Sequence, residues 1–344
     1  MPALSVSVVI PTYNRAALVT RAIDSALRCT EPGDEILVVD DASTDDTRAV
    51  VSRYGTPVRL IAAEHGGAGA ARNRGVVEAR NDLVAFLDSD DEWLPHKLAL
   101  ERRLMAARPD VLYCFSNFSV CDRSGRVYAR YLENWHKDAR PWSEILGPGA
   151  RFSTLNELPA GCDDFLVHIG DLYAPLMARL YIGTFTLVFR RGLPGGVPQF
   201  PVDLPTFEDW QFFGELAKRG PGAYLDRDTA IQHGHRMPRL TDATVLVQAQ
   251  TRIKLLERVW GRDRDFLAKH GVSYREILAQ QERACRFYTA KELLKAGRMP
   301  EARAAFTALG QCPRSYRLLL RLPGRAIRAG GWLVRRLRGL LPAH

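Results

Sequence analysis

Cysteine is sparse and unpaired in this chain. Its six residues (29, 114, 121, 162, 285 and 312) are scattered over 344 positions and form no CxxC pair. Neither a disulfide framework nor a zinc site is indicated, and the usage fits a reducing compartment. No apolar run approaches the roughly 18 residues that a membrane-spanning helix needs. The first residues, MPALSVSVVIPTYNR, lack both a basic n-region and an apolar h-region, so no signal peptide is expected. The glycine-rich turn His65-Gly66-Gly67-Ala68-Gly69 is not GxGxxG and carries no Walker lysine, so taken alone it names no nucleotide-binding class. Acid is absent from residues 314–344, which hold eight arginines; of the net charge of +9 this leaves one positive charge on residues 1–313. The basicity belongs to the tail, and no nucleic-acid partner is expected for the body.

A hydrophobic content of 46% with 25% charged residues is that of a soluble globular protein, with room for one large domain and a smaller one. The chain is organised around Leu83-Val84-Ala85-Phe86-Leu87-Asp88-Ser89-Asp90-Asp91-Glu92-Trp93. The unbroken apolar run reads as a strand over 83–88, buried on both faces in a parallel sheet. The carboxylates massed at its end repel one another unless something cationic sits between them. A hard divalent ion holding a diphosphate answers that need; so does an acidic loop capping a helix over 95–108, with Pro95 in its first turn.

Around this stretch, strands are expected at 5–10, 35–41, 58–63, 111–118, 183–191 and 223–231. Helices are expected over 16–27, from the turn and N-cap at 42–47 to about Tyr54, and over 70–79. Strand, polar turn and helix repeat through the first hundred residues, the pattern of a doubly wound α/β half. Ligands of open α/β sheets collect at the carboxyl ends of the strands. Acids closing the second and fourth strands, with Arg72 on the helix between them, would ring a crevice for a nucleotide: carboxylate to base, guanidinium to base or phosphate, metal to diphosphate.

Four motifs, SVVIPTYNR, VVDDASTDDT, HGGAGAARNRG and AFLDSDDEWLP, follow one another over about ninety residues. In that order and spacing they resemble glycosyltransferase family 2, inverting enzymes of the glycosyltransferase A fold that use nucleotide sugars. The resemblance implies an α/β, Rossmann-like domain with a mostly parallel central sheet, followed by a helical C-terminal region. It places Pro11, Thr12, Tyr13, Asn14, Arg15, Asp40, Asp41, Arg72, Asn73, Asp88 and Ser89 at the donor. Asp88 and Asp90 become the DxD pair, with Asp90 favoured as the direct ligand of Mn²⁺ or Mg²⁺. His235 is favoured over His233 as a metal or phosphate contact, although the local spacing departs from the family's. Asp45 and Asp46 are expected to cap a helix, and Asp163 and Asp164 to lie in a solvated loop. Thr184 and Thr186 would share one strand face, touching donor or acceptor or doing no more than ordinary strand threonines.

Glu208 and Asp209 open an amphipathic helix, where acids favour the helix dipole. By the resemblance this pair supplies the catalytic base. Asp209 takes that role, expected to stay ionised at the helix N-terminus, and Glu208 a supporting one. The resulting division is a catalytic domain over 1–240, a helical accessory region over 241–313 and a basic segment over 314–344. The middle region holds a hairpin similar to half of a tetratricopeptide repeat. The basic segment's Leu333, Leu337, Leu340 and Leu341, beside Arg335, Arg336 and Arg338, suit an anionic membrane surface; a helix packed on the catalytic domain, or a tail with no partner, is the alternative. The expected activity is metal-dependent, inverting transfer of a sugar, from a UDP-sugar by preference, to a hydroxyl of a glycan or lipid-linked acceptor in cell-surface polysaccharide synthesis. The expected place is the cytoplasm, on the inner face of the membrane. The rivals are a nucleotide-sugar-binding scaffold without turnover and a nucleotidyltransferase.

Overall fold

The computed structural model describes residues 4–235, 244–309 and 314–321. They divide into two compact units, the first holding the sheet and residues 269–272, the second the later helices. Among the described residues the sheet has eleven strands. These are β1 (Val6–Thr12), β2 (Glu35–Asp40), β3 (Val58–Ala62), β4 (Leu83–Phe86), β5 (Glu92–Trp93), β6 (Tyr113–Cys121), β7 (Val127–Tyr128), β8 (Gly149–Arg151), β9 (Leu166–Gly170), β10 (Val188–Arg190) and β11 (Gly222–His233). Four helices flank the first half: α1 (Val19–Leu27), α2 (Thr47–Ser52), α3 (Gly67–Glu78) and α4 (Lys97–Ala107).

Strand order is β3-β2-β1-β4-β10-β6-β11-β9-β8, with β5 paired to β11 and β7 to β6. β1–β4, β6, β8 and β11 run one way and β5, β7, β9 and β10 the other, so the mostly parallel expectation holds. The order reverses at β1, where β2 lies on one side and β4 on the other. A reversal of this kind opens a crevice at the carboxyl ends of the strands. β1 and β4 are buried along their whole length, which is why β4 is a continuous apolar run and β1 is apolar from Val8 to Pro11, with buried Ser7 satisfied by Glu35 at 2.7 Å. Pro11 is tolerated in β1 because pairing with β4 stops at Val9, before a missing N–H would matter. Gly75 lets α3 lie flat on β1: a Cβ there would come 2.2 Å from Val9 Cγ1.

Three local expectations are corrected. β4 ends at Phe86 rather than 88, and a turn closed by Asp91 N–H to Asp88 O (3.0 Å) follows. The next helix starts at Lys97, not at Pro95, because β5 intervenes to pair with β11 and His96 takes a left-handed φ of 71°. Residues 184–186 form a 3-10 turn rather than a strand face, and Thr186 Oγ1 donates to Gly183 O at 2.8 Å. That turn is fixed from below: Phe185 O accepts Trp93 Nε1 (2.7 Å) and Thr186 O accepts Lys97 Nζ (3.0 Å). Lys97 is fully buried and paired with equally buried Glu101 at 2.6 Å. Only after the turn does β10 run, antiparallel, between β4 and β6.

Residues 122–126 make the expected hairpin turn between β6 and β7. Asp163 is exposed, and Asp164 is spent on Ser153 N and Oγ, which fits a loop. In the second unit, helices Tyr274–Lys295 and Met299–Ala308 pack through Ala290, Leu294, Met299, Ala302 and Phe306, giving the expected hairpin. No helix among the described residues is long and apolar enough to cross a membrane. The leucines at 333–341 lie outside the described residues.

Candidate active site

The ends of β1, β2, β4 and β11, the first turns of α3 and the helix Glu208–Ala217 supply the polar residues singled out above. β1 hands over to a loop that is bound to the β2–α2 turn. Asn14, at a φ of 50°, accepts from Thr44 N at 2.8 Å and Asp45 N at 3.3 Å and donates its own N–H to Ser43 Oγ at 2.9 Å. Arg15 N–H bonds Thr47 Oγ1. Asp45 accepts from Ala16 N and Thr47 N, the cap expected of it, whereas Asp46 makes no side-chain cap bond. Tyr13 is 41% exposed and lies over His65, ring centroids 4.6 Å apart. Thr12 Oγ1 is buried and has no hydrogen-bond partner in the structure.

The adjacent acids closing β2 face different ways, as successive strand residues must. Asp40 is fully buried; its carboxylate accepts Ser43 N–H and pairs with Arg48. It builds the β2–α2 turn and is turned away from the donor role expected of it. Asp41 accepts Gly66 N–H at 2.7 Å on one oxygen and Gly67 N–H at 2.9 Å on the other, with His65 Nδ1 3.0 Å away. It therefore caps α3, and Gly67 at a φ of 84° supplies the left-handed residue that brings both N–H groups to one carboxylate.

Arg72, 5% exposed, spans the crevice. Its Nη2 bonds Asp88 Oδ1 at 2.7 Å and its Nη1 reaches Glu208 Oε1 at 3.4 Å. Burial works to neutralise the guanidinium, but Asp88 and Glu208 outweigh it and hold the group more firmly charged than usual. The ring of Phe200 lies under it, 5.3 Å from its carbon. Gly69 makes the approach possible, since a Cβ there would meet Phe200 Cβ at 3.1 Å and Glu208 Cγ at 3.3 Å. The next residue corrects an expectation. Both ends of the Asn73 amide are used by the Phe200 backbone, at 2.9 and 2.8 Å, and Phe200 stacks on Phe212 at 4.1 Å. Asn73 thus ties α3 to the helix Glu208–Ala217 rather than touching a donor.

Beyond β4, Ser89 is buried and Asp91 turns inward, its Oδ1 accepting His233 N–H at 3.1 Å. Asp90 Oδ2 lies 2.6 Å from His235 Nε2, and His233 Nε2 lies 3.0 Å from Glu92 Oε2. Both histidines reach this end of the crevice, His235 at the acid singled out as a metal ligand and His233 one step removed. Burial and the nearby Arg21 push the His233 pKa down. Among the described residues no three His, Cys, Asp or Glu side chains close into a metal-holding group. Asp88 and Asp90 nevertheless suit Mn²⁺ or Mg²⁺. Such hard ions are commonly held by one or two carboxylates plus substrate phosphates rather than by a protein cage.

Opposite, Phe207 takes a left-handed φ of 63° to start the helix Glu208–Ala217, packing edge-on against Trp210 at 5.5 Å. Trp210 Nε1 is anchored to Leu176 O at 2.7 Å. Asp209 overturns the expectation of a carboxylate kept acidic by the dipole. Burial, then the charge of Glu208, pushes its pKa up to about 7, against the pull of Arg72 and of the Trp210 N–H. Arg21, His65, Phe200 and Phe207 were not singled out as site residues in the sequence. For Arg21 a signal was available, since it shares a helical face with Ser25 and Arg28.

Comparison with known proteins agrees with this architecture. Residues 7–166 match the profile described as Glycosyl transferase family 2. The chain is 32% identical over 124 residues, 36% of its own length and 49% of the relative's, to UDP-Glc:alpha-D-GlcNAc-diphosphoundecaprenol beta-1,3-glucosyltransferase WfgD of Escherichia coli. It is 39% identical over 133 residues to succinoglycan biosynthesis protein ExoO of Rhizobium meliloti, 37% of each chain. The chain spans about a fifth to a half of the length of the curated relatives it matches. Among solved structures, S. aureus TarS 1-349 in complex with UDP-GlcNAc superposes with a TM-score of 0.50 at 16% identity, over 84% of this chain and 73% of that one, a likeness of fold. Over residues 7–166 the chain is thus similar to glycosyl transferase family 2, and it carries the glycosyltransferase A fold.

Proposed function

We propose that this chain transfers a sugar from a nucleotide-sugar donor to a hydroxyl of a glycan or lipid-linked acceptor, with inversion at the sugar carbon. The observation that carries the reading is Arg72, which joins Asp88 on the donor side to Glu208, next to a carboxyl whose pKa is raised to about 7. Tyr13, with its ring exposed over His65, offers a stacking surface for the base. Asp41 lies beside it, and Asp88 and Asp90 face the diphosphate. A divalent ion held by Asp90 and Asp88 supplies charge neutralisation for the departing diphosphate. Arg72 adds a fixed cation there. Asp209 takes the proton of the acceptor hydroxyl as it attacks from the other side of the sugar, in one displacement that needs no covalent partner. UDP is favoured as the nucleotide, and cell-surface polysaccharide as the product class, because the related WfgD is named for a UDP-Glc donor and a diphosphoundecaprenol-linked acceptor, and ExoO for succinoglycan biosynthesis.

The test is a thermal-shift and product screen of nucleotide sugars with Mn²⁺, since a bound ligand raises the melting temperature by mass action. A donor that stabilises the protein and then yields nucleoside diphosphate with an acceptor supports the reading. Pyrophosphate released from a nucleoside triphosphate would make it a nucleotidyltransferase, and donor binding with no turnover on any acceptor a scaffold.

The eight arginines and leucine stripe of residues 314–344 support peripheral attachment to the inner face of the cell membrane. Each surface-proximal arginine contributes about 1 kcal/mol on anionic lipid. Deleting 314–344 is expected to abolish sedimentation with anionic vesicles at low salt and to leave turnover of a soluble acceptor intact. Full-length protein that ignores such vesicles would end the idea.

A further inference from the structure

The segment that leaves β4 toward β5 is held along its side by a polar stripe of α1 and the turn that ends it. Residues 21, 25, 28 and 29 follow the i, i+4, i+7, i+8 spacing of one helical face, and each engages it. Arg21 Nη2 donates to Asp90 O at 2.5 Å; Ser25 Oγ accepts Trp93 N–H at 3.0 Å; Arg28 Nη2 lies 3.2 Å from Glu92 Oε1; Cys29 Sγ donates to Leu94 O at 3.3 Å. Three of the four satisfy main-chain groups of residues 90–94, which buried backbone demands.

Arg21 differs from the others because it acts on the peptide of Asp90 itself. We propose that Arg21 is a positioning residue for Asp90, its guanidinium fixing that peptide so that the carboxylate is presented at the diphosphate end of the crevice. The proposal rests on the donor-site reading above. Two observations support it. Arg21 Nε is buried with no hydrogen-bond partner, so the side chain holds its contact with Asp90 while leaving another donor unmet, a cost that an incidental contact would not carry. The opposite side of the same short loop is pinned independently, by Asp91 Oδ1 to His233 N–H and by Asp90 Oδ2 to His235. Asp90 is thus gripped from α1 through its carbonyl and through its carboxylate from His235, just beyond the end of β11. The first residue of α1 is also tied to Arg15, whose carbonyl accepts Val19 N–H at 2.9 Å, so the same helix meets both the Tyr13–Arg15 loop and the Asp90 loop.

The experiment titrates the full chain with Mn²⁺, alone and with UDP, by calorimetry and by the electron-spin signal of free Mn²⁺. Arg21→Ala is expected to weaken Mn²⁺ and Mn²⁺–UDP binding by about 10–100-fold, the range typical of groups that orient metal ligands. Arg21→Lys, whose ammonium reaches the same carbonyl, should recover most of it. Arg28→Ala, which loses only the contact to the Glu92 side chain, should bind as wild type does. Melting curves accompany each variant, and Arg21→Gln, which keeps length and a donor, replaces Arg21→Ala if the latter does not fold. Wild-type affinity in both Arg21→Ala and Arg21→Gln would overturn the inference, as would an equal loss in Arg28→Ala, which would mark the stripe as general support. A wild-type chain that binds neither Mn²⁺ nor UDP would instead overturn the donor-site reading and take this inference with it.

Discussion

Asp209→Asn should lower turnover by about 10²–10⁴-fold, the usual contribution of a positioned general base, while nucleotide-sugar affinity stays near wild type. The replacement keeps volume and the acceptor for Trp210 N–H, which is 2.7 Å away, so the helix start survives. The pH dependence sharpens the test. Asp209 is a base only when ionised, and burial together with Glu208 raises its pKa to about 7. Wild-type kcat/KM should therefore rise with pH through about 7 and level off above, and Asp209→Asn should lose that limb. Stability runs the other way. A carboxyl whose folded value lies above its ordinary 3.8 binds more protons folded than unfolded, so its contribution is full below that value and is lost as pH rises toward 7. Asp209→Asn should accordingly gain in melting temperature relative to wild type as pH goes from 4 to 8. Near wild-type turnover in Asp209→Asn would end the assignment, and a selective collapse in Glu208→Gln would move the role to its neighbour.

The elements readable in the sequence are those whose local pattern and burial agree. β1, β2 and β4 are mostly apolar and lie largely buried in the sheet, and the polar residues that mark the crevice stand at or just beyond their carboxyl ends. What local pattern could not give was partnership. Asp40 and Asp41 are neighbours of one type, and only the pleat sends one to Arg48 and the other to Gly66 and Gly67. Asn73 shares the first turns of α3 with Arg72, but its partner, Phe200, is 127 residues away. Thr184 and Thr186 alternate like strand residues, yet the Trp93 and Lys97 donors below them hold a 3-10 turn. The expectation that the helix dipole keeps Asp209 acidic failed for the same reason. The helix dipole is local, whereas the burial that outweighs it is made by elements from distant parts of the chain.

The second large effect falls on Asp90. Asp90→Ala should remove the Mn²⁺ dependence of donor binding and cut Mn²⁺–UDP affinity by more than the roughly 100-fold that loss of a merely orienting group can cost. A diphosphate is a poor partner for the bare crevice, because Asp88 and Asp90 would repel it. The ion converts that repulsion into a bridge, and Asp90 is the acid whose carboxylate Arg72 does not already hold. In the structure its Oδ2 meets His235 at 2.6 Å while Arg72 takes Asp88 Oδ1. Removing Asp90 leaves the Arg72–Asp88 pair in place and takes away one repelling charge, so nucleotide binding without metal should hold or rise slightly rather than fall. Asp41→Asn makes the contrast. It alters the group beside Tyr13 that caps α3 through Gly66 and Gly67, and should weaken UDP binding equally with and without Mn²⁺. Isothermal titration of UDP into both variants, with Mn²⁺ and with chelator, separates the two roles. Donor affinity unchanged in both would remove the nucleotide from this crevice, and a metal effect equal in the two variants would remove Asp90 from the ion.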